Sequence, residues 1–104
     1  MKYGLSNRTL QKIQGVLSHH PQVERAILYG SRATGTYRNG SDIDLTLYGD
    51  ALTHSILSRI DTELDDLLLP YTIDLSIFHQ IDNPAMVEQI QRSGVNFYEK
   101  YGKA

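Results

Sequence analysis

Asp42 and Asp44 stand two residues apart in the apolar run Ile43-Asp44-Leu45-Thr46-Leu47, ten residues after Gly30-Ser31. On a β-strand, side chains alternate with a period of two, so residues 42 and 44 project from the same face. Two carboxylates at about 5 Å repel by roughly 3 kcal/mol at an effective dielectric near 20, which calls for a cation between them. Oxygen-only ligands favour Mg²⁺ or Mn²⁺, and Mg²⁺ takes one or two carboxylates and completes its shell with water and phosphate. A solvent-facing strand edge would show the same alternation. Asp74 shifts the balance, because it occupies the same kind of position in a second alternating run, Thr72 to Phe78. Three carboxylates from neighbouring strands can hold two metal ions in the arrangement that clamps attacking and leaving oxygens in phosphoryl transfer. In such a site Asp42 and Asp44 would contact both ions. Asp74 would contact the one that acidifies an acceptor hydroxyl, and is placed to take its proton.

The turn before these acids has phosphate-binding character. Gly30-Ser31 would lie at a helix N-terminus, where free N–H groups favour an anion and glycine permits close approach. An ordinary strand-to-helix turn is the alternative. Gly30 and Gly35 have the spacing of a P-loop, but Thr36-Tyr37 stands where Lys-Ser/Thr is required. Ser31 lacks the Gly-x-Ser-x-Gly elbow of hydrolases. Arg32 can fork onto phosphate oxygens, with a surface ion pair as the alternative, and Arg38 is a weaker second contact. His19 and His20 are adjacent and His54 and His79 isolated, so no histidine pair has metal-binding spacing. Tyr29 and Tyr48 flank the expected site, with packing as their default role. Tyrosines at Tyr98 and Tyr101 close the chain beside Phe97 and could serve an interface or an edge strand.

Positioning these residues requires a small α/β domain. Ser6 caps a helix to about Ser18 with the stripe Leu10, Ile13, Val16 and Leu17, and Val23 to Tyr29 is a strand running into the glycine turn. Ser31 to Thr34 makes one helical turn closed by Gly35, and Ser41 to Tyr48 is the second strand. Thr53 starts an amphipathic helix to about Leu68, ended by Pro70, and Thr72 to Phe78 is the third strand. Asn83-Pro84 opens a helix to Ser93, Gly94 closes it, and Val95 to Tyr98 forms a short last strand. The expected fold is α/β (α+β), a mixed sheet of three or four strands flanked by helices, in one domain over 1–104.

Composition sets bounds on function. With 104 residues and 40% apolar content, the chain supports one small core and no second substrate-binding domain. The absence of cysteine removes disulfides, thiolate zinc sites and cysteine nucleophiles, and fits the cytoplasm. No apolar stretch approaches membrane-spanning length, and Met1 to Leu5 lacks a secretory signal's apolar core. A net charge of −2 with scattered Lys and Arg offers no attraction to duplex nucleic acid.

The pattern Gly30-Ser31, ten residues, Asp42-x-Asp44, then Asp74 on a later strand resembles the nucleotidyltransferase fold of the DNA polymerase beta superfamily. More narrowly, it resembles the minimal nucleotidyltransferases encoded beside a HEPN-domain protein, and the likeness spans nearly the whole chain in element order. That resemblance implies two Mg²⁺ ions, with Mn²⁺ as a substitute, and transfer of a nucleoside monophosphate from ATP or another NTP with release of pyrophosphate. Gly30, Ser31 and Arg32 would hold the triphosphate, Asp42 and Asp44 the metals, and Asp74 the catalytic metal and acceptor hydroxyl. Thr34 departs from the pattern, where a second arginine is frequent. Some members with a HEPN partner act as antitoxins that adenylylate a tyrosine of the toxin ribonuclease. No Arg-x(4–6)-His segment occurs here, so such a toxin would be a separate polypeptide. Two other expectations stay open: transfer to a small hydroxyl compound such as an aminoglycoside with a helical partner completing the pocket, and a binding module that neutralises its partner by contact alone.

Overall fold

The computed structural model describes residues 1–101, so the last three residues of the domain expected over 1–104 lie outside the described ones. Helix α1 (Asn7–Ser18) begins where the Ser6 hydroxyl accepts the Thr9 N–H, and its stripe Leu10, Ile13, Val16 and Leu17 is buried. Strand β1 (Arg25–Tyr29) leads into the single turn α2 (Ser31–Thr34), which Gly35 closes in the left-handed conformation at φ 85°. Strand β2 (Ile43–Tyr48) is followed by α3 (His54–Asp65), capped by Thr53. Strand β3 (Ile73–Ile77), a 3₁₀ turn at Phe78–Gln80, α4 (Pro84–Ser93) and β4 (Val95–Glu99) complete the order.

The strands lie in the order β3-β2-β1-β4. β1 runs antiparallel to both β2 and β4, whereas β2 and β3 are parallel. Parallel neighbours need a crossover of a dozen or more residues, and α3 supplies it. Leu28, Leu45 and Leu47 turn to one face of the sheet, where they meet Ile13 and Leu17 of α1 and Ile60 and Leu64 of α3 in the main core. The opposite face carries a smaller cluster in which Ile90 of α4 packs with Ile27 and Tyr29. No helix among the described residues is long and apolar enough to cross a membrane.

Element boundaries differ from expectation in several places: β3 is one residue shorter at each end than Thr72 to Phe78, and β4 runs one residue past Tyr98. α3 stops at Asp65 rather than Leu68; Pro70 disfavours helical backbone at Leu69, and Leu68 takes φ 56° and is 87% exposed. β1 starts at Arg25 rather than Val23, since Arg25 is the first residue in register with β2, opposite Tyr48. β2 starts at Ile43, which leaves Asp42 one residue outside the strand.

Candidate active site

Strand register builds the site. Tyr29 of β1 pairs with Asp44 of β2, and Asp44 pairs with Asp74 of β3, so the three form one row across the sheet. Neighbouring strands lie about 4.8 Å apart, and directly paired residues share a face, so the carboxylates of Asp44 and Asp74 are held side by side. Asp44 is half-buried and Asp74 exposed. Burial pushes the Asp44 carboxyl above the usual carboxylate range, and the negative charges of Asp74 and then Asp42 add to the effect.

Gly30 fits against this row. It takes φ 79°, in the region that favours glycine, and a Cβ there would run into Asp44 Oδ2. The sequence reading has glycine clearing space for a phosphate; in the structure the cleared space admits Asp44's carboxylate. The N–H groups of Ala33 and Thr34 donate to Gly30 O, and those of Gly35 and Thr36 to Ser31 O. The amides of Ser31 and Arg32 take no part in these turn bonds, and Ser31 is half-buried at the mouth of the row.

Arg32 departs from the expectation of a phosphate ligand. It is 3% exposed and turned inward: Nε and Nη2 donate to Ser41 O at 3.1 and 2.9 Å, and Nη1 donates to Tyr3 O at 2.9 Å. Its guanidinium carbon also lies 4.8 Å from the Tyr71 ring centroid and 5.3 Å from that of Tyr37. A planar fork with five donors suits this strut, which ties the amino-terminal turn and the loop before β2 to α2. Arg38 is exposed in that same loop.

Asp42 also differs from its expected place. It is exposed and outside β2, so sheet register does not fix its carboxylate beside Asp44, although its charge acts there. Among the described residues, no group of three or more His, Cys, Asp or Glu is gathered closely enough to hold a metal ion. The registered pair Asp44–Asp74 still fits a hard divalent cation, because Mg²⁺ needs only one or two carboxylates when phosphate and water supply the rest.

Behind the acid pair lies a band of hydroxyls. Thr46 and Ser76 are paired across β2 and β3 one step further along the same face, and neither Thr46 Oγ1 nor Ser76 Oγ has a hydrogen-bond partner. The Tyr29 side chain lies on the same face, in the row of Asp44 and Asp74. Burial raises the Tyr29 phenol's pKa above its usual value; the nearby Ser76 hydroxyl works against this, and the charges of Asp74 and Asp44 add to it. Sequence reasoning left Tyr29 in the packing. The available signal was its place as the last strand residue before Gly30, but its partner across the sheet could not be read. Tyr48 lies at the far end of β2, stacked on Phe78 at 4.4 Å with Arg25 above it at 4.5 Å, away from the acids.

The chain matches the family described as Polymerase beta, Nucleotidyltransferase over residues 11–102. It belongs to that family. The polymerase beta nucleotidyltransferase fold is also shared with solved structures of low identity. A crystal structure of a toxin–antitoxin with AMP-PNP aligns at TM-score 0.71 and 22% identity, covering 88% of this chain and 74% of that one. A tri-AMPylated Shewanella oneidensis HEPN toxin in complex with its MNT antitoxin aligns at TM-score 0.68 and 18% identity, covering 91% and 73%. The toxin–antitoxin MntA–HepT aligns at TM-score 0.67 and 19% identity, covering 90% and 73%. No curated protein matches this nucleotidyltransferase-family chain in sequence.

Proposed function

We propose that this chain is a minimal nucleotidyltransferase of the antitoxin type, one domain over 1–104, which moves AMP from ATP to a tyrosine hydroxyl of a HEPN toxin in the cytoplasm. The observation that carries this reading is the registered pair Asp44–Asp74 set against the Gly30-Ser31 turn. Family membership supports nucleotidyl transfer, and the similar solved structures support a HEPN partner by their composition. Asp42, Asp44 and Asp74 would hold Mg²⁺, as a pair of ions with Mn²⁺ as substitute, supplying charge neutralisation for the triphosphate and a lowered pKa for the acceptor hydroxyl. The Ser31 amide and hydroxyl, with the adjacent Arg32 amide, would bind the triphosphate. Arg32 would contribute through its backbone, its side chain being engaged with Tyr3 and Ser41.

In the proposed reaction the acceptor oxygen attacks the α-phosphorus, a new P–O bond forms, and the bond to the leaving pyrophosphate breaks. Asp74, exposed at the edge of the row, takes the acceptor proton. Asp44 would act through the Mg²⁺ it holds, which would bridge its carboxylate to the triphosphate and keep the phosphates against the turn.

Intact mass of a co-expressed HEPN partner tests this. Wild-type chain should add whole AMP residues, and Asp44→Asn or Asp74→Asn should add none. An unmodified partner from wild-type cells would refute protein nucleotidylation and leave transfer to a small hydroxyl compound to be screened. Neutralisation by contact alone is the rival outcome. If Asp44→Asn still neutralises the partner, contact is sufficient.

A further inference from the structure

The two edges of the sheet are finished differently. Along β4, Gln14 Nε2 donates to Phe97 O at 2.9 Å, and the pairing with β1 shifts register beside Ile27. Both features blunt an edge against added strands. β3, at the other edge, contains no proline and keeps unbroken register with β2. The Ile43 N–H donates to Thr72 O, so the parallel ladder directs the backbone groups of Asp74 to β2 and turns those of Ile73 and Leu75 outward. Among the described residues, no backbone group from outside the sheet meets them there. Beside this edge, Leu57, Ser58 and Asp61 of α3 join Ile73, Asp74 and Leu75 in lining a pocket of about 220 Å³. Asp61 is exposed and makes no ion pair among the described residues.

We propose that the acceptor protein docks as an extended segment added beside β3, with its acceptor residue opposite Asp74 and a neighbouring lysine or arginine in the pocket at Asp61. Directly paired residues share a face, so the residue opposite Asp74 continues the row Tyr29–Asp44–Asp74 by one position, beside the carboxylate that takes its proton. Its neighbours alternate to the α3 side. There Leu57, Ile73 and Leu75 receive an aliphatic stem, and Asp61 and Ser58 its cationic head. A second copy of β3 is disfavoured in this place, because it would bring another Asp74 to an edge that already carries the carboxylates of Asp61 and Asp74. This inference rests on the nucleotidyl-transfer reading given above.

The test is AMP transfer from ATP to short peptides rich in threonine and valine, each with one central tyrosine flanked on both sides by lysine, serine or glutamate. Wild type should label the lysine-flanked peptide with a KM about threefold below the serine-flanked one, with the glutamate-flanked peptide weakest, and Asp61→Lys should reverse that order. If Asp61→Lys does not fold, Asp61→Asn decides, by bringing the three KM values together. N-methylation of the tyrosine and both its neighbours removes the N–H groups that pair with β3, and should abolish labelling. Undiminished labelling of the N-methylated peptide, or an order of KM values that the Asp61 variant leaves unchanged, overturns the docking mode and leaves nucleotidyl transfer standing. Labelling of the co-expressed partner without that of any peptide does the same. If wild type labels neither peptide nor partner, protein nucleotidylation itself falls, and the docking mode with it.

Discussion

Asp44 and Asp74 occupy directly paired positions on adjacent parallel strands, so their carboxylates stay neighbours as long as the sheet keeps its register. A one-residue slip would turn one of them to the opposite face and place it among the leucines of the main core. The repulsion between them is therefore held in place by the hydrophobic pairing of Leu45 with Leu75 and Ile43 with Ile73 on either side.

That repulsion has a pH signature. Asp44 has a raised pKa when folded, chiefly from burial and then from Asp74 and Asp42, so the folded state holds its proton to higher pH than the unfolded state. Stability contributed at this position falls as pH rises from the ordinary carboxylate value through the raised one. Asp44→Asn, measured in chelator at pH 7, should stabilise the fold by about 0.2–1 kcal/mol, the usual cost of like charges facing across strands. The gain should shrink as pH falls through the raised value of Asp44, whose carboxyl is then protonated and uncharged in the wild-type fold as well. Thermal melts across this range check the sign; an Asp44→Asn protein less stable than wild type at pH 7 would contradict it.

Gly30 and Gly35 both adopt positive φ, but a Cβ at Gly35 meets open space while one at Gly30 meets Asp44. Alanine at either position should cost about 1–2 kcal/mol in urea unfolding through backbone strain alone. Only Gly30→Ala should also displace Asp44 and lower nucleotidyl transfer, by about 100-fold for a shift near 1 Å. Equal activity losses in the two variants would show that Asp44 is not the reason for glycine at position 30.

Arg32 should behave as a strut. Arg32→Lys removes the fork onto Ser41 O and leaves buried carbonyls short of donors, so stability should fall by about 2–4 kcal/mol. The KM for NTP in the remaining folded protein should not rise in proportion. A raised KM at unchanged urea midpoint would return the guanidinium to the phosphates.

Asn83 caps α4 by accepting the N–H groups of Ala85 and Met86 at 3.0 and 3.3 Å. Asn83→Ala should cost about 1 kcal/mol, and so lower the melting midpoint by about 4–8 °C. Since α4 meets the sheet at the apolar cluster of Ile27, Tyr29 and Ile90 and supplies none of the carboxylates, Mn²⁺ affinity should stay at the wild-type value.

Local signals in the sequence determine most of the architecture. Ser6, Thr53 and Asn83 each cap the helix expected to follow them, and the alternation Ile43-Asp44-Leu45-Thr46-Leu47 separates a core face from a polar face as it reads. These features depend on neighbours within a few residues, where chain stereochemistry and period leave few options. Gly35 likewise ends α2 because a left-handed residue is needed there.

What the amino-acid sequence determined alone was therefore the elements, their apolar faces, and the residue types able to hold a divalent cation beside a phosphate. What only the tertiary structure decided was pairing across the sheet. It joined Tyr29 to the Asp44–Asp74 row, gave the space at Gly30 to a carboxylate, left Asp42 outside β2, and turned Arg32 inward onto Tyr3 and Ser41. Periodicity assigns a side chain to a face, but the neighbour it meets there comes from a strand or turn tens of residues away, and strand order and register alone choose that neighbour.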